Sequence, residues 1–202
     1  MPELDQHEPP RPYDPWQKVK TIHGANADEV ISTLQKEIRR GHEENAVIMA
    51  YEMLKTSEEL EDYLWKRLKA ICVEDIGFGD TQAPILINAL DQMRHSFPRG
   101  AEGVLYAIHA VRYLANCKKD RSDDEMIDYL DKGFEEGTLK IEIPDYAYDM
   151  HTLKGQKMKR GYEHFDKVAA QIYPEYEGRN KKYYNEIMKI YKYKEYVDAE
   201  LD

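Results

Sequence analysis

Apolar residues recur at three- and four-residue intervals along most of the chain, and this spacing places side chains on one face of an α-helix. The pattern predicts an all-α protein, a compact bundle of about six to eight helices. The predicted helices cover residues 27–40, about 43–55, 57 to about 73, about 101–117, 122–136 and 179 to about 196, and another carries Pro84 in its first turn and ends before Pro98. Alternation of Leu139, Ile141 and Ile143 with polar residues predicts one short extended segment.

The stretch from Thr56 to Asp80 contains the helix around which we expect the bundle to be organised. Thr56, with Glu59 three residues later, has the spacing of a capping box at the helix start. The helix ends on two adjacent carboxylates, Glu74 and Asp75, where the helix dipole disfavours negative charge. We therefore expect one carboxylate to accept backbone N–H bonds and the other to pair with an arginine or lysine, and we interpret both as structural.

The same carboxylate pair allows a chemical interpretation. Adjacent carboxylates shift each other's pKa and attract hard cations. Neighbouring side chains on a helix point about 100° apart, however, and this does not easily let them share one ligand. The run Ile76-Gly77-Phe78-Gly79 that follows is expected to turn sharply, because glycine adopts backbone conformations that are closed to other residues.

Composition and charge narrow the class of protein. The chain has 202 residues and a formal net charge of −10, and this charge argues against a protein that coats nucleic acid over its whole surface. There is no apolar run near the ~20 residues that cross a bilayer and no secretory signal pattern, so we expect a cytoplasmic protein without a membrane partner. Five prolines before residue 20 predict a Pro-rich arm over residues 1–20, followed by a helical domain over residues 21–202.

Two segments, together with the helices between them, are similar to a known family. Ile38-Arg39-Arg40-Gly41 corresponds to its isoleucine-arginine-glycine segment, and Glu74-Asp75-Ile76-Gly77, followed by Asp80, corresponds to its serine-glutamate-aspartate-isoleucine-glycine run. The chain resembles the C-terminal region of the replication-associated recombination protein A family, also called RarA or MgsA. These are AAA+ ATPases related to the Werner-helicase-interacting protein, and the resemblance spans residues 22–184.

The resemblance implies a helical oligomerisation domain akin to the collar of DNA polymerase clamp loaders, which holds AAA+ subunits in a ring. The family's full-length proteins act at stalled replication forks. The chain has no G-x-x-x-x-G-K-[ST] loop to hold nucleotide phosphates, so we expect a freestanding, non-catalytic assembly protein of DNA replication or repair with no cofactor. The expected partners are further copies of the chain, as a tetramer or similar closed assembly, and a separately encoded AAA+ ATPase.

A basic cluster supports a second hypothesis, which is DNA binding. Lys154, Lys157, Lys159 and Arg160 form the densest basic cluster of an acidic chain, within a Gly-containing segment at residues 151–164. Cationic side chains and exposed backbone N–H groups both bind phosphates. The alternative is a solvated helix face whose charges pair with the many carboxylates of the chain.

Asp149, His151 and His164 support a third hypothesis, a metal-dependent enzyme, because these residue types bind zinc or iron. Their spacing matches no metal-site motif that we can connect to a mechanism.

Tyrosines are frequent near the C-terminus, at Tyr183, Tyr184 and Tyr191 and then at Tyr193 and Tyr196. Tyrosine suits both a subunit interface and the cover of a protomer's own core, so both interpretations stay open.

Overall fold

The computed structural model describes residues 14–201, apart from the side chains of Ala101 and of residues 193–201. Within this part of the chain there are nine α-helices and no β-strand, which confirms the all-α prediction. None of the described helices is both long and apolar enough to cross a membrane. The helices are α1 (Ala27–Arg40), α2 (Glu43–Thr56), α3 (Glu58–Ile71), α4 (Ala83–Arg94), α5 (Ala101–Asn116), α6 (Ser122–Glu135), α7 (Leu153–Lys157), α8 (Tyr162–His164) and α9 (Lys182–Leu201).

The contacts within the chain define two compact units, Met1–Thr138 and Leu139–Asp202. Helices α1 to α6 belong to the first unit, and α7 to α9 belong to the second.

Helices α1 to α5 build the core of the first unit. α2 contacts α1, α3 and α5, and α4 packs on α5. Leu34, Ile38, Leu64, Leu68 and Val111 are among the core side chains with no exposed surface. Burying one such side chain fully stabilises the fold by ~1.5–3 kcal/mol. Leu64 and Leu68 belong to α3, so the apolar stripe of this helix faces the core.

Gly41 ends α1 and forms the short connection to α2. Gly41 has a φ of 74° and its N–H bonds back to the carbonyls of Glu37 and Ile38, which ends α1 at Arg40. α2 begins two residues later, at Glu43. The two helices pack against each other, as expected for a short helical hairpin.

Helix α3 begins one residue later than a capping box at Thr56 would place it, so that prediction is wrong. The Thr56 hydroxyl donates to the carbonyl of Glu52, 2.7 Å away, and Thr56 is the last residue of α2. Ser57 is the N-cap of α3, and its hydroxyl accepts from the N–H of Leu60 at 3.2 Å. Ser57 therefore stands between the two helices, as the C-cap of α2 and the N-cap of α3.

Residues 1–13 of the predicted arm lie outside the described residues. From there, Pro15–Lys18 form one turn of 3₁₀-helix, which Asp14 caps through the N–H of Trp16. The Trp16 ring packs on Tyr63 of α3, with 5.2 Å between ring centroids.

Arg160 ties together the first part of the second unit. Its guanidinium donates to the carbonyls of Asp145 and Tyr148, at 2.7 and 2.9 Å, and to the Asp145 carboxylate at 2.7 Å. Gly155 in α7 packs so closely that a Cβ there would overlap the carbonyl oxygen of Asp149. Residues 139–144, the predicted extended segment, form neither helix nor sheet.

Candidate functional site

The turn after α3 is the feature that the sequence singled out. α3 continues into a π-helical turn, Cys72–Ile76, and then into a 3₁₀ turn, Gly77–Gly79. Gly77 has a φ of 50°, and a Cβ built on it would lie 2.5 Å from the carbonyl oxygen of Asp120. A Cβ on Gly79 would lie 2.5 Å from the carbonyl oxygen of Lys118. Both glycines therefore allow the turn to lie directly against the backbone of residues 118–120.

Asp75 is fully buried at this turn and has charged partners on two sides. Its carboxylate accepts from Nε of Arg39 and from Nε2 of Gln35, the latter at 2.9 Å, and Nε of Arg121 lies 3.5 Å away. Its backbone carbonyl accepts from the N–H of Asp120 at 3.1 Å. The hydrogen bond from Arg39 to Asp75 is the main reason that the pKa of Arg39 is raised. Asp75 thus joins α1 to the segment before α6.

Glu74, which is partly exposed, accepts hydrogen bonds from the same two side chains as Asp75. It accepts from Gln35 at 2.6 Å and from Arg39 at 3.2 Å, and Arg67 of α3 lies 3.4 Å away. The long Gln35 and Arg39 side chains each donate to both Glu74 and Asp75, which lie within the π-helical turn. The donors are side chains, rather than the backbone N–H groups that we expected for one of the carboxylates.

Asp80 follows the 3₁₀ turn and connects it to α4 and α5. Its carboxylate accepts from the N–H of Gln82 at 3.0 Å, just before α4, and from the Tyr113 hydroxyl of α5 at 2.7 Å. These two hydrogen bonds lower the pKa of Asp80, and the bond from Tyr113 has the larger effect. Burial, reinforced by this bond, raises the pKa of Tyr113. Together with buried Ile76, Asp80 fixes the turn against α4 and α5.

The carboxylates of Glu74 and Asp75 accept hydrogen bonds from guanidinium and amide groups, and a bound substrate or cation would have to displace these groups. Among the residues that the structure describes, no three His, Cys, Asp or Glu side chains are grouped so that they could hold a metal ion.

That result also corrects the metal hypothesis for Asp149, His151 and His164. Nδ1 of His151 lies 3.0 Å from the Asp149 carboxylate, and its ring packs edge-on against Phe165, 5.2 Å between centroids. Nδ1 of His164 is buried without a hydrogen-bond partner. Asp149 and His151 lie together, but the three side chains do not form a group that could hold a metal ion.

The four cations of the basic cluster differ in their contacts. Arg160 is bound to Asp145 and Tyr148, as described above, and Nζ of Lys154 lies 3.7 Å from the centre of the Tyr148 ring. Lys157 and Lys159 are exposed. Lys159 has a φ of 56°, which is an unusual conformation for a residue other than glycine. The four cations therefore do not form one free basic surface.

The C-terminal tyrosines differ in their surroundings. Tyr183 is exposed. Tyr184 is half-buried, and the Arg179 guanidinium lies 5.5 Å from the centre of its ring. The Tyr191 hydroxyl donates to Asp166, so this side chain is used within its own unit. The side chains of Tyr193 and Tyr196 lie outside the described residues.

The structure shows an exposed apolar surface on α6 that the spacing of apolar residues did not predict. Helix α6 has an apolar face that is largely exposed: Met126, Ile127, Leu130 and Phe134 are between 39% and 59% exposed. The spacing of these residues gave the helix, but it did not reveal that its apolar face lies in water. Six of the fourteen residues of α6 are acidic, and this density was the sign in the sequence that much of the helix surface is exposed.

The chain is thus an all-α protein in which arginines of α1 and of the segment before α6 bind the carboxylates of the turn after α3. The family described as "MgsA AAA+ ATPase C terminal" matches residues 41–200, and the chain belongs to this family. The match begins at Gly41, so α1 precedes it. No curated protein matches the chain.

Proposed function

We propose that this chain is a non-catalytic assembly module, which holds copies of itself together and, through them, subunits of an AAA+ ATPase in DNA replication or repair. The membership in the MgsA C-terminal family supports the link to AAA+ ATPases. The absence of a phosphate-binding loop from the sequence supports a role without ATP hydrolysis.

One observation carries the proposal: the first unit leaves apolar helix faces in water. On α6 these are the side chains of Met126, Ile127, Leu130 and Phe134. On α4 and α5 they include Ile85 and Leu105, which are 64% and 68% exposed. Scattered apolar residues on a surface are normal, but contiguous apolar faces on several helices mark surfaces that bind other proteins.

The ion pairs of the Glu74–Asp80 turn support the non-catalytic part of the proposal. A catalytic carboxylate needs access to its substrate. Asp75 has no exposed surface, and Glu74 shares its donors. The turn stabilises the relative positions of α1, α3, α4 and α5, and it thereby sets the shape of the surface that the assembly uses.

The test is the mass of the protein in solution, measured by light scattering on a sizing column at several concentrations and two salt levels. We expect a closed oligomer of fixed stoichiometry, such as a tetramer, which persists at high salt because apolar contacts are not screened. A strict monomer over the whole concentration range contradicts self-assembly and with it the proposal.

A further inference from the structure

Helix α4 has a solvent face without a single charged side chain. Its exposed residues are Pro84, Ile85, Asn88, Ala89, Gln92 and Met93. The two charged residues of the helix, Asp91 and Arg94, are both buried. Charged residues make up 34% of the whole chain, so a neutral face over three helical turns is exceptional in this protein. Depletion of charge is what distinguishes the centre of a protein interface from other surface.

The apolar residues of this face form a ridge. Ile85, Ala89 and Met93 follow each other at four-residue steps, which aligns them along the helix. Ile85 is 64% and Met93 50% exposed, with the small Ala89 between them. The core side of α4 is formed by other apolar residues, Ala83, Ile87 and Leu90.

Neighbouring side chains widen the apolar surface towards α5. Leu105 is 68% and Phe97 41% exposed, and the Phe97 ring packs on Tyr106 with 5.6 Å between centroids. Together with Leu90, Glu102 and His109, these residues line a mostly apolar cleft of about 280 Å³.

We propose that α4 packs against α4 of a second copy of this chain, with the two helices related by a two-fold axis and crossing at Ala89. This inference rests on the proposed function and names one of its contacts. A two-fold contact uses the same patch twice, so wherever residue i of one copy meets residue j of the other, j also meets i. The ridge meets this condition, because Ile85 of one copy faces Met93 of the other at equal distances from Ala89.

The helix geometry favours this contact. Ridges formed by residues four apart interdigitate when two helices cross, at interaxial distances of about 8–10 Å. The smaller distances in this range require a small residue at the crossing point, and Ala89 supplies it. The exposed side chains of α4 are neutral, so no charge of this helix is buried or faces its own copy.

Charge distinguishes α4 from α6 as the surface for a second copy. Beside its apolar residues, α6 carries Asp124, Asp128, Asp131 and Glu135, against one lysine, Lys132. Two copies of α6 packed together would bring these carboxylates close to their own symmetry mates, which is unfavourable. The neutral α4 face carries no such cost.

Cysteine cross-linking tests the crossing point. Directly facing Cα atoms are about 4.6 Å closer together than the helix axes, so interaxial distances of about 9–10 Å bring them into the ~4.4–6.8 Å range of a disulfide. We therefore expect Ala89→Cys to form a disulfide-linked dimer under mild oxidation. The adjacent Asn88→Cys, about 100° around the helix, and the wild-type protein serve as controls and are expected to stay largely uncross-linked. Equal cross-linking of Ala89→Cys and Asn88→Cys, or none for either, overturns the proposal.

A charge on the ridge tests the energetics. Ala89→Asp buries a carboxylate without a partner, and we expect it to raise the dissociation constant of this contact by roughly 100-fold or more. Asn88→Asp adds the same charge one residue away and is expected to leave the mass unchanged. Circular dichroism checks that both variants fold. If the wild-type protein is oligomeric and Ala89→Asp keeps that mass, the α4 contact is wrong while the proposed function stands; a monomeric wild-type protein removes both.

Discussion

Gly77 is the residue at which the geometry of the turn is most tightly constrained. Its φ is positive and its α-carbon faces the carbonyl oxygen of Asp120, so neither the conformation nor the space suits a side chain. A side chain at Gly77 would have to displace the backbone of Asp120. That backbone is held by other contacts, such as the 3.1 Å hydrogen bond from the N–H of Asp120 to the carbonyl of Asp75.

We expect Gly77→Ala to lower the free energy of unfolding by about 2 kcal/mol or more, because the new Cβ adds strain and displaces the 118–120 segment. Gly103→Ala is the matched control. Gly103 lies in α5, where a Cβ would be 3.8 Å from its nearest neighbour, the carbonyl oxygen of Pro98. In a helix, alanine is favoured over glycine, so this control is expected to be neutral or stabilising by up to ~1 kcal/mol. Urea denaturation measures both; similar losses would contradict the role of the turn.

At the scale of elements, Arg39 connects α1 to the turn after α3. It is one of two neighbouring arginines at the end of α1, and the two differ in their partners. Arg39 bonds to buried Asp75 and to Glu74, whereas Arg40 is exposed and bonds back to the carbonyl of Lys36 in its own helix. The sequence alone does not distinguish them, because both stand in the last turn of the helix, where positive charge is favourable.

We expect Arg39→Met to lower the free energy of unfolding by about 2–3 kcal/mol, because Asp75 would remain buried with fewer partners. Arg40→Met is expected to change it by less than ~0.5 kcal/mol, as surface substitutions do. Thermal and urea denaturation of the two variants give the comparison. Equal stability of the pair would mean that Gln35 and Arg121 are sufficient for Asp75.

At the scale of the whole molecule, an ion-pair cluster makes stability depend on pH. Asp91 of α4 accepts from Nε of Arg94 at 2.7 Å and pairs with Lys69 of α3. Burial acts to raise the pKa of Asp91, but the bonds from Lys69 and Arg94 outweigh it, and the pKa lies below its ordinary value. The stabilisation is therefore present above the unfolded-state pKa of about 3.9 and is lost as the pH falls through the folded-state value.

We expect Asp91→Asn to be less stable than the wild-type protein at pH 7 and to lose less stability when the pH is lowered below about 4. Asp128→Asn on α6 is the control, because Asp128 is exposed and only faces Lys132 at 3.5 Å. Urea denaturation at a series of pH values measures the difference between each variant and the wild-type protein. An acid profile of Asp91→Asn that runs parallel to the wild-type profile would contradict the assignment.

The sequence was informative wherever a local signal was sufficient. The bounds of α1 followed from its periodicity and from Gly41, and the all-α class followed from the helical spacing along the chain. The Glu74-Asp75-Ile76-Gly77 run also pointed to the family that the match at residues 41–200 shows. Cap positions were less certain, because Thr56 and Ser57 are chemically similar and only the packing of α2 and α3 decides between them.

Long-range partners were out of reach of the sequence. Arg160 was placed in a DNA-binding cluster, but the structure engages it with Asp145, fifteen residues away. Arg39 and Asp75 are thirty-six residues apart, and no local pattern pairs them. Charged side chains have many potential partners in a chain that is one-third charged, and the selection among them depends on the tertiary arrangement.

Side-chain periodicity, glycine conformation and a short local motif were sufficient to predict α1 to α6, α9 and the family, whereas the short helices α7 and α8 were not predicted. Which apolar stripes are buried depends on the tertiary structure. The stripe of α3 faces the core, whereas Ile85 and Met93 of α4, and Leu130 and Phe134 of α6, lie in water. The periodicity of a helix states that one face is apolar, but what covers that face depends on where the other helices lie.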